Sequence, residues 1–153
     1  MNAIAVDTTA VAGILLSRPG PSGKILLLKR SGDNYWCHVT GRIEKGEQIS
    51  AAMIREFQEE TGVNVSRLYC ADFVDVFFDT RLGKLRMVPV FVAYWPDENL
   101  KPVLNHEHTE YCWCSLEKAV QMAPYPNQHR IFRHVWTYFV DDKPGAQMLV
   151  KAS

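Results

Sequence analysis

Between Gly41 and Val63 the chain reads GRIEKGEQISAAMIREFQEETGV, a stretch dense in carboxylates. On a helix of about 3.6 residues per turn, Glu56, Glu59 and Glu60 stand at i, i+3 and i+4 and share one patch of surface. Like charges at that spacing oppose the helix by about 0.2–0.5 kcal/mol per pair. A divalent cation between them reverses the sign. A set of carboxylate oxygens suits Mg²⁺, with Mn²⁺ as the second choice, whereas Zn²⁺ prefers the His and Cys ligands that this stretch lacks. Magnesium keeps several waters and takes its remaining ligands from substrate phosphates, so an open acidic face points to phosphate chemistry. Arg55 precedes Glu56 by one residue and Glu59 by four, within reach to orient a carboxylate through a forked hydrogen bond. The plainer alternative is a solvated helix face, the usual fate of acidic clusters on helices.

The whole spacing favours chemistry over that alternative. Gly41, five residues, Glu47, seven residues, Arg55-Glu56, an apolar residue, Gln58, Glu59-Glu60, Thr61, Gly62 and Val63 resemble the signature of the Nudix hydrolase family at every specified position. The resemblance implies an α/β fold with a mixed β-sheet sandwiched between helices. It also implies a metal held by the Gly41 carbonyl and by Glu56, Glu59 and Glu60, with Glu47 steadying the junction of loop and helix. Gly41 and Gly46 equally suit plain turn positions, and both roles are compatible. Outside the box, Trp36 to Gly41, Glu107 to Trp113 and a terminal helix led by Asn127 look most like the dihydroneopterin triphosphate diphosphatase branch. Members acting on dinucleoside polyphosphates or oxidised purine nucleotides often carry a proline-glycine pair where Val39-Thr40 stand here.

By that resemblance Glu107 binds a second metal or removes a proton from the attacking water, with Glu110 as the substitute and Glu59 as the other candidate base. His106 and His108 flank Glu107 and are candidates to steady phosphate or act as bases, against ordinary surface or hydrogen-bonded roles. Lys29 and Arg30 are positioned to reach substrate phosphates, with strand-edge charge as the equal competitor. Trp36, Tyr35, Phe77 and Phe78 offer rings to stack on a base or pterin, and core packing competes for each. Tyr111 and Trp113 are assigned to packing. The implied reaction is hydrolysis of a nucleoside-triphosphate-like substrate, dihydroneopterin triphosphate or a nucleotide such as dATP, to the monophosphate and pyrophosphate. Dinucleoside polyphosphates and nucleotide sugars are alternative substrates. A non-catalytic ligand sensor of the same fold is the alternative of another class, disfavoured because the box carboxylates are all present.

The elements that must position these residues follow from pattern. Gln48 to Thr61 has no proline or glycine and stops at Gly62, predicting a helix whose Ile49, Met53 and Phe57 face a sheet. Ala10 to Leu16 and Lys24 to Lys29 read as a strand pair, and Trp36 to Thr40 as a short strand entering the box. Leu68 to Phe78 and Leu85 to Trp95 read as a hairpin, and Thr109 to Cys114 as a strand after a polar loop. Ser115 caps a short helix from Leu116 to Val120. Asn127 is expected to cap a last helix, Gln128 to Phe139, with Ile131, Val135 and Phe139 along one stripe. The chain from Asp141 on is expected to be a loosely held tail.

Composition bounds the partners. The 153 residues suit one Nudix domain, core 9–140 and tail 141–153, large enough to bury a core. With 17 basic and 17 acidic residues there is no cationic excess for a nucleic-acid polymer or an anionic membrane, leaving a small phosphorylated molecule. The chain is expected to be a monomer or homodimer. Cys37, Cys70, Cys112 and Cys114 form no C-x-x-C pair and read as reduced thiols, Cys112 and Cys114 on one strand face. The amino terminus lacks a basic n-region and no apolar run matches a membrane span, so a cytoplasmic enzyme is the expectation.

Overall fold

In the strand Ala10–Leu16 every residue is buried. Val11 and Leu15 pack to one side, Ala10, Ala12, Ile14 and Leu16 to the other, so covered layers lie on both faces. The computed structural model describes residues 1–152. That strand, β2, follows β1 (Val6–Asp7) and precedes β3 (Ile25–Arg30), β4 (Trp36–Cys37) and β5 (Val39–Arg42). After the helix α1 (Ile49–Thr61) come β6 (Arg67–Asp79), β7 (Lys84–Tyr94), β8 (His108–Cys114), α2 (Leu116–Met122), α3 (Pro126–Val135) and β9 (Leu149–Ala152). Among the described residues nine strands form one mixed sheet, with β2 parallel to β7 and antiparallel to β5.

Helix α1 covers one face through Ala52, Met53 and Phe57, while α3 covers the other through Ile131, Phe132 and Val135. This is the helix-sheet-helix sandwich expected. Burying a side chain such as Phe57 contributes about 1.5–3 kcal/mol. Gly13 permits the close approach of α1: a Cβ there would stand 2.6 Å from Met53 Sδ. Gly62 ends α1 in the left-handed region, φ 77°, its N–H donating to Gln58 O.

Several expectations are corrected. Ile49 is 38% exposed, so the buried stripe of α1 begins at Met53. β2 and β3 meet only at Leu16↔Ile25, and β3 spends its length against β8 and β4. The short strand before the box divides at His38: Trp36–Cys37 pairs with β3, while Val39–Arg42 turns to β2. The hairpin forms, with a bulge between Cys70 and Val74 where Asp72 has φ 54°.

Asn127 does not cap the last helix. α3 starts at Pro126, Gln128 Oε1 accepts from Tyr125 N at 3.0 Å, and the Asn127 amide donates to Asp75 Oδ2 at 2.9 Å. The helix runs on through a π-helical turn at Trp136–Val140, which buries Phe139 as the stripe requires. The carboxyl-terminal segment is not a loose tail either: β9 pairs antiparallel with β6 and extends the sheet by one strand. All four cysteines are free, and Cys114 is buried while Cys112 packs against the same cluster.

Candidate active site

The loop leading into α1 is built around Arg55. Its guanidinium donates to Glu47 from Nε at 2.8 Å and from a terminal nitrogen at 2.9 Å, the fork a planar guanidinium is shaped for. It also reaches the Arg42 carbonyl and Glu56 Oε1, both at 2.8 Å, and Glu59 Oε2 at 3.3 Å. Glu47 Oε2 in turn accepts from Glu44 N at 2.9 Å. One cation thus ties the loop backbone to the middle of the helix. The hydrogen bonds from Arg55 and then from Glu44 hold the Glu47 carboxyl down to about 2. Expecting Glu47 to brace the junction agrees with this geometry.

The three helix carboxylates do not form one open ridge. Glu56 and Glu60 are buried, at 8% and 3% exposure, whereas the Glu59 side chain is 51% exposed beside Arg55. Gly41 explains the burial of Glu56, because a Cβ at that position would overlap the Glu56 carboxylate. The glycine is a cradle for a carboxylate and lies in strand β5 opposite Val11, so the plain turn role expected for it falls to Gly46 alone, whose φ is 78°. Burial pushes the Glu56 carboxyl up, partly opposed by Arg55.

Glu60 has no hydrogen-bonded cation, and the field of Arg30 opposes its shift only in part. Burial, followed by the fields of Glu56 and Glu107, pushes its carboxyl up to about 9, and its Oε2 has no hydrogen-bond partner. Glu107 comes to it from the loop before β8. Ser31 N donates to Glu107 O at 2.8 Å, Ser31 Oγ to His106 O at 2.8 Å, and Glu107 N to Asn105 Oδ1 at 3.1 Å. The turn after β3 therefore pins the loop that carries Glu107. Nothing in the spacing of Ser31 or Asn105 flagged them, because the contacts depend on β3 pairing with β8.

His108 was one candidate among several in the sequence, and the structure brings it to Glu60. Its Nε2 lies 3.9 Å from Glu60 Oε1 and 4.0 Å from Cys37 Sγ. Burial lowers the affinity of the His108 ring for a proton, opposed in part by the charge of Glu107. Glu60, Glu107 and His108 each offer a ligand atom within 4.8 Å of the others. His106 is exposed and engages Ser31 only through its backbone.

The remaining candidates divide. Lys29 is engaged by Glu110 at 3.0 Å and lies 6.0 Å from the Trp36 ring, so Glu110 is tied to that cation and lies outside the cluster around Glu60. Arg30 stacks over Tyr35 at 5.6 Å, its Nε makes no hydrogen bond, and its field reaches Glu60. Trp36 and Phe77 pack against the core, and Phe78 is 52% exposed. Trp113 packs edge-on against Trp95 at 5.5 Å as expected, but Tyr111 is 37% exposed and no core residue. Tyr35 meets Tyr125 edge-on at 5.5 Å, near the Asp75–Asn127 pair that sequence reasoning missed. Asp75 is 4% exposed, and its Oδ1 is without a partner.

The pattern of NUDIX domain matches residues 7–135, and that span holds every residue of the site described above. The chain belongs to the Nudix family. This Nudix chain is 33% identical over 129 residues to a bis(5'-nucleosyl)-tetraphosphatase [asymmetrical] of Caenorhabditis elegans, covering 80% of the chain and 90% of that protein. It is 30% identical over 118 residues to the dihydroneopterin triphosphate diphosphatase of Haemophilus influenzae, covering 69% and 74%. The fold matches the structure of the Escherichia coli dihydroneopterin triphosphate pyrophosphohydrolase with a TM-score of 0.72, over 86% of this chain and 96% of that one at 19% identity. The chain is accordingly a Nudix pyrophosphohydrolase of small, pyrophosphate-containing substrates. Among the described residues no helix is long and apolar enough to cross a membrane.

Nudix hydrolases use divalent metals, and the residues here fit one. A buried carboxylate with a partnerless oxygen and a second carboxylate beside it make no ion pair with Arg or Lys among the described residues, and the Gly41 cradle holds a third, Glu56, whose field also reaches Glu60.

Proposed function

We propose that this enzyme hydrolyses the triphosphate of a ring compound to its monophosphate and pyrophosphate, with dihydroneopterin triphosphate or a purine nucleotide such as dATP as substrate. The observation that carries the reading is Glu60, buried at 3% exposure, partnerless at Oε2 and flanked by Glu56 and Glu107, with the field of Arg30 offsetting them only in part. Glu56, Glu59, Glu60, Glu107 and the Gly41 carbonyl would hold Mg²⁺, or Mn²⁺ in its place. When bound, that ion neutralises phosphate oxygens and lowers the free energy needed to make hydroxide from water.

The chain's own residues do the rest. Arg55 occupies Glu59 and Glu56 and fixes their orientation, while Glu107 has no cationic partner among the described residues and stands on the solvent side of Glu60. Glu107 is therefore the base that takes the water proton. Arg30, whose field reaches Glu60 and whose Nε makes no hydrogen bond but lies 3.6 Å from Asp33, binds phosphate, while Lys29 is held by Glu110. Tyr35 and Tyr125 lead from Arg30 toward Asp75 and Asn127. The partnerless Asp75 oxygen can accept one N–H from a ring edge, which the amino group of a pterin or of adenine supplies.

Incubation with Mg²⁺ and a panel of dihydroneopterin, purine and pyrimidine triphosphates tests the reading. Monophosphate plus pyrophosphate supports it, and failure to cleave any triphosphate contradicts it. The 33% identity to the nematode tetraphosphatase supports a second reading, a dinucleoside polyphosphate as substrate. Two nucleotides as products would select that one.

A further inference from the structure

Glu60 has a second set of neighbours that the box does not contain. On one side lies the Glu56 carboxylate, whose field reaches Glu60, an oxygen environment. On the other lies a nitrogen: His108 Nε2, 3.9 Å from Glu60 Oε1, with side-chain exposures of 1% for His108 and 4% for Glu60. That separation is too long for a hydrogen bond. It matches the spacing of two ligands on one ion, since bonds of about 2.0–2.2 Å set neighbouring donor atoms about 3–4 Å apart. Glu107 completes a trio whose ligand atoms lie within 4.8 Å of one another.

A buried histidine is ordinarily held by hydrogen bonds to oxygen, and this one is not. Its Nδ1 has no partner, and its Nε2 makes only the long contact of 4.0 Å to Cys37 Sγ. Glu60 Oε2 is also partnerless. Two buried polar groups from α1 and β8 thus face each other, each with one atom that has no hydrogen-bond partner.

We propose that His108 Nε2, Glu60 and Glu107 form a nitrogen-containing ion site that takes zinc or cobalt in preference to magnesium. Imidazole is a poor ligand for the hard, water-retaining magnesium ion and a good one for zinc and cobalt. Cys37 lies against the imidazole but outside the trio, so its sulfur is not a ligand. The site rests on reading Glu60 as a metal ligand and adds to it a donor from outside the box. A cell's zinc would then compete with magnesium for the Glu60 carboxylate and hold the enzyme back.

Proton NMR of the cobalt-loaded wild-type protein, without substrate, tests this directly. The expected result is one solvent-exchangeable, contact-shifted resonance from the N–H of a cobalt-bound imidazole, lost on adding zinc. His108→Asn should abolish it and lower the zinc-to-magnesium affinity ratio at least about tenfold. Should that variant fail to fold, Glu107→Gln, at an exposed position, should weaken cobalt binding. Cys37→Ser should leave the cobalt spectrum unchanged. A wild-type cobalt complex with no shifted imidazole proton, or with a thiolate-to-cobalt charge-transfer band, overturns the site. Pyrophosphate release by the magnesium-loaded wild type is measured separately, so hydrolysis without nitrogen-bound cobalt would sink this site and leave the hydrolase reading standing.

Discussion

Glu47 and Glu60 lie at opposite ends of the same box, are the same residue type, and meet opposite environments. Glu47 receives a forked guanidinium and a backbone N–H, which hold its carboxyl down to about 2. Glu60 receives burial and two further carboxylates, which push it up to about 9. At the first end the charges compensate and the loop is fixed. At the second they do not, and the fold holds an anionic site whose electrostatics favour a cation. A network that stabilises the frame thus stands beside a cluster that destabilises it, the arrangement expected where binding and not folding selects the residues.

The sharpest test of the contrast is a pair of isosteric changes. Glu60→Gln should lower turnover by about 100-fold or more with the fold intact, read as kcat under saturating Mg²⁺. In metal-free buffer the same change should raise stability. Because the folded carboxyl is raised from 4.5 to about 9, the folded state holds a proton that the unfolded state releases, and wild-type stability falls as pH rises through that interval. The gain for Glu60→Gln should therefore vanish below the unfolded value and grow toward pH 9, reaching on the order of 3 kcal/mol at pH 7 by denaturant titration. Glu47→Gln should do the reverse, lowering the melting temperature by about 3 °C. Its depressed carboxyl stabilises the fold above the unfolded value of 4.5, and that contribution is lost as pH falls toward 2.

Smaller effects sharpen the boundary between the ends. Gly41→Ala should displace the Glu56 carboxylate and cut kcat roughly tenfold to a hundredfold, since catalytic geometry tolerates little displacement. Arg55→Lys removes the fork and should cost about 2 kcal/mol of stability, with a smaller loss of kcat. Removal of the chain after Gly145 should cost about 1 kcal/mol and leave kcat unchanged, because β9 pairs with the sheet edge far from Glu60. Steady-state kinetics and thermal melts check all three.

What could be read from the sequence was local. The helix from Ile49 to Thr61, its Gly62 terminus and the β6–β7 hairpin follow from periodicity and turn residues within a few positions. So does the reach of Arg55 to Glu56 and Glu59, whereas its fork on Glu47, eight residues back, is not read from the sequence. The failures share another cause. Whether Trp36 to Thr40 stays one strand depends on β3 and β2 competing for its two halves. Whether the carboxyl-terminal segment is loose depends on a free edge at β6, and whether Asn127 caps a helix depends on Asp75 across the sheet. The same holds for His108, whose meeting with Glu60 depends on how β8 docks on β3. An acidic i, i+3, i+4 pattern says that carboxylates share a helix patch. Only packing says that Glu56 and Glu60 turn inward while Glu59 stays outside.

The central claim is that the cluster around Glu60 exists to bind a divalent ion bridging to a phosphate anhydride. Titrating Mg²⁺ into the metal-free protein by calorimetry, with a non-hydrolysable triphosphate analogue present and in two buffers of different ionisation heat, addresses it directly. Saturable uptake with a buffer-dependent heat is the predicted result, because a Glu60 carboxyl raised to about 9 must release its proton to the buffer when the ion binds. Absence of any uptake by the wild type, or uptake undiminished in Glu60→Gln, would contradict the account.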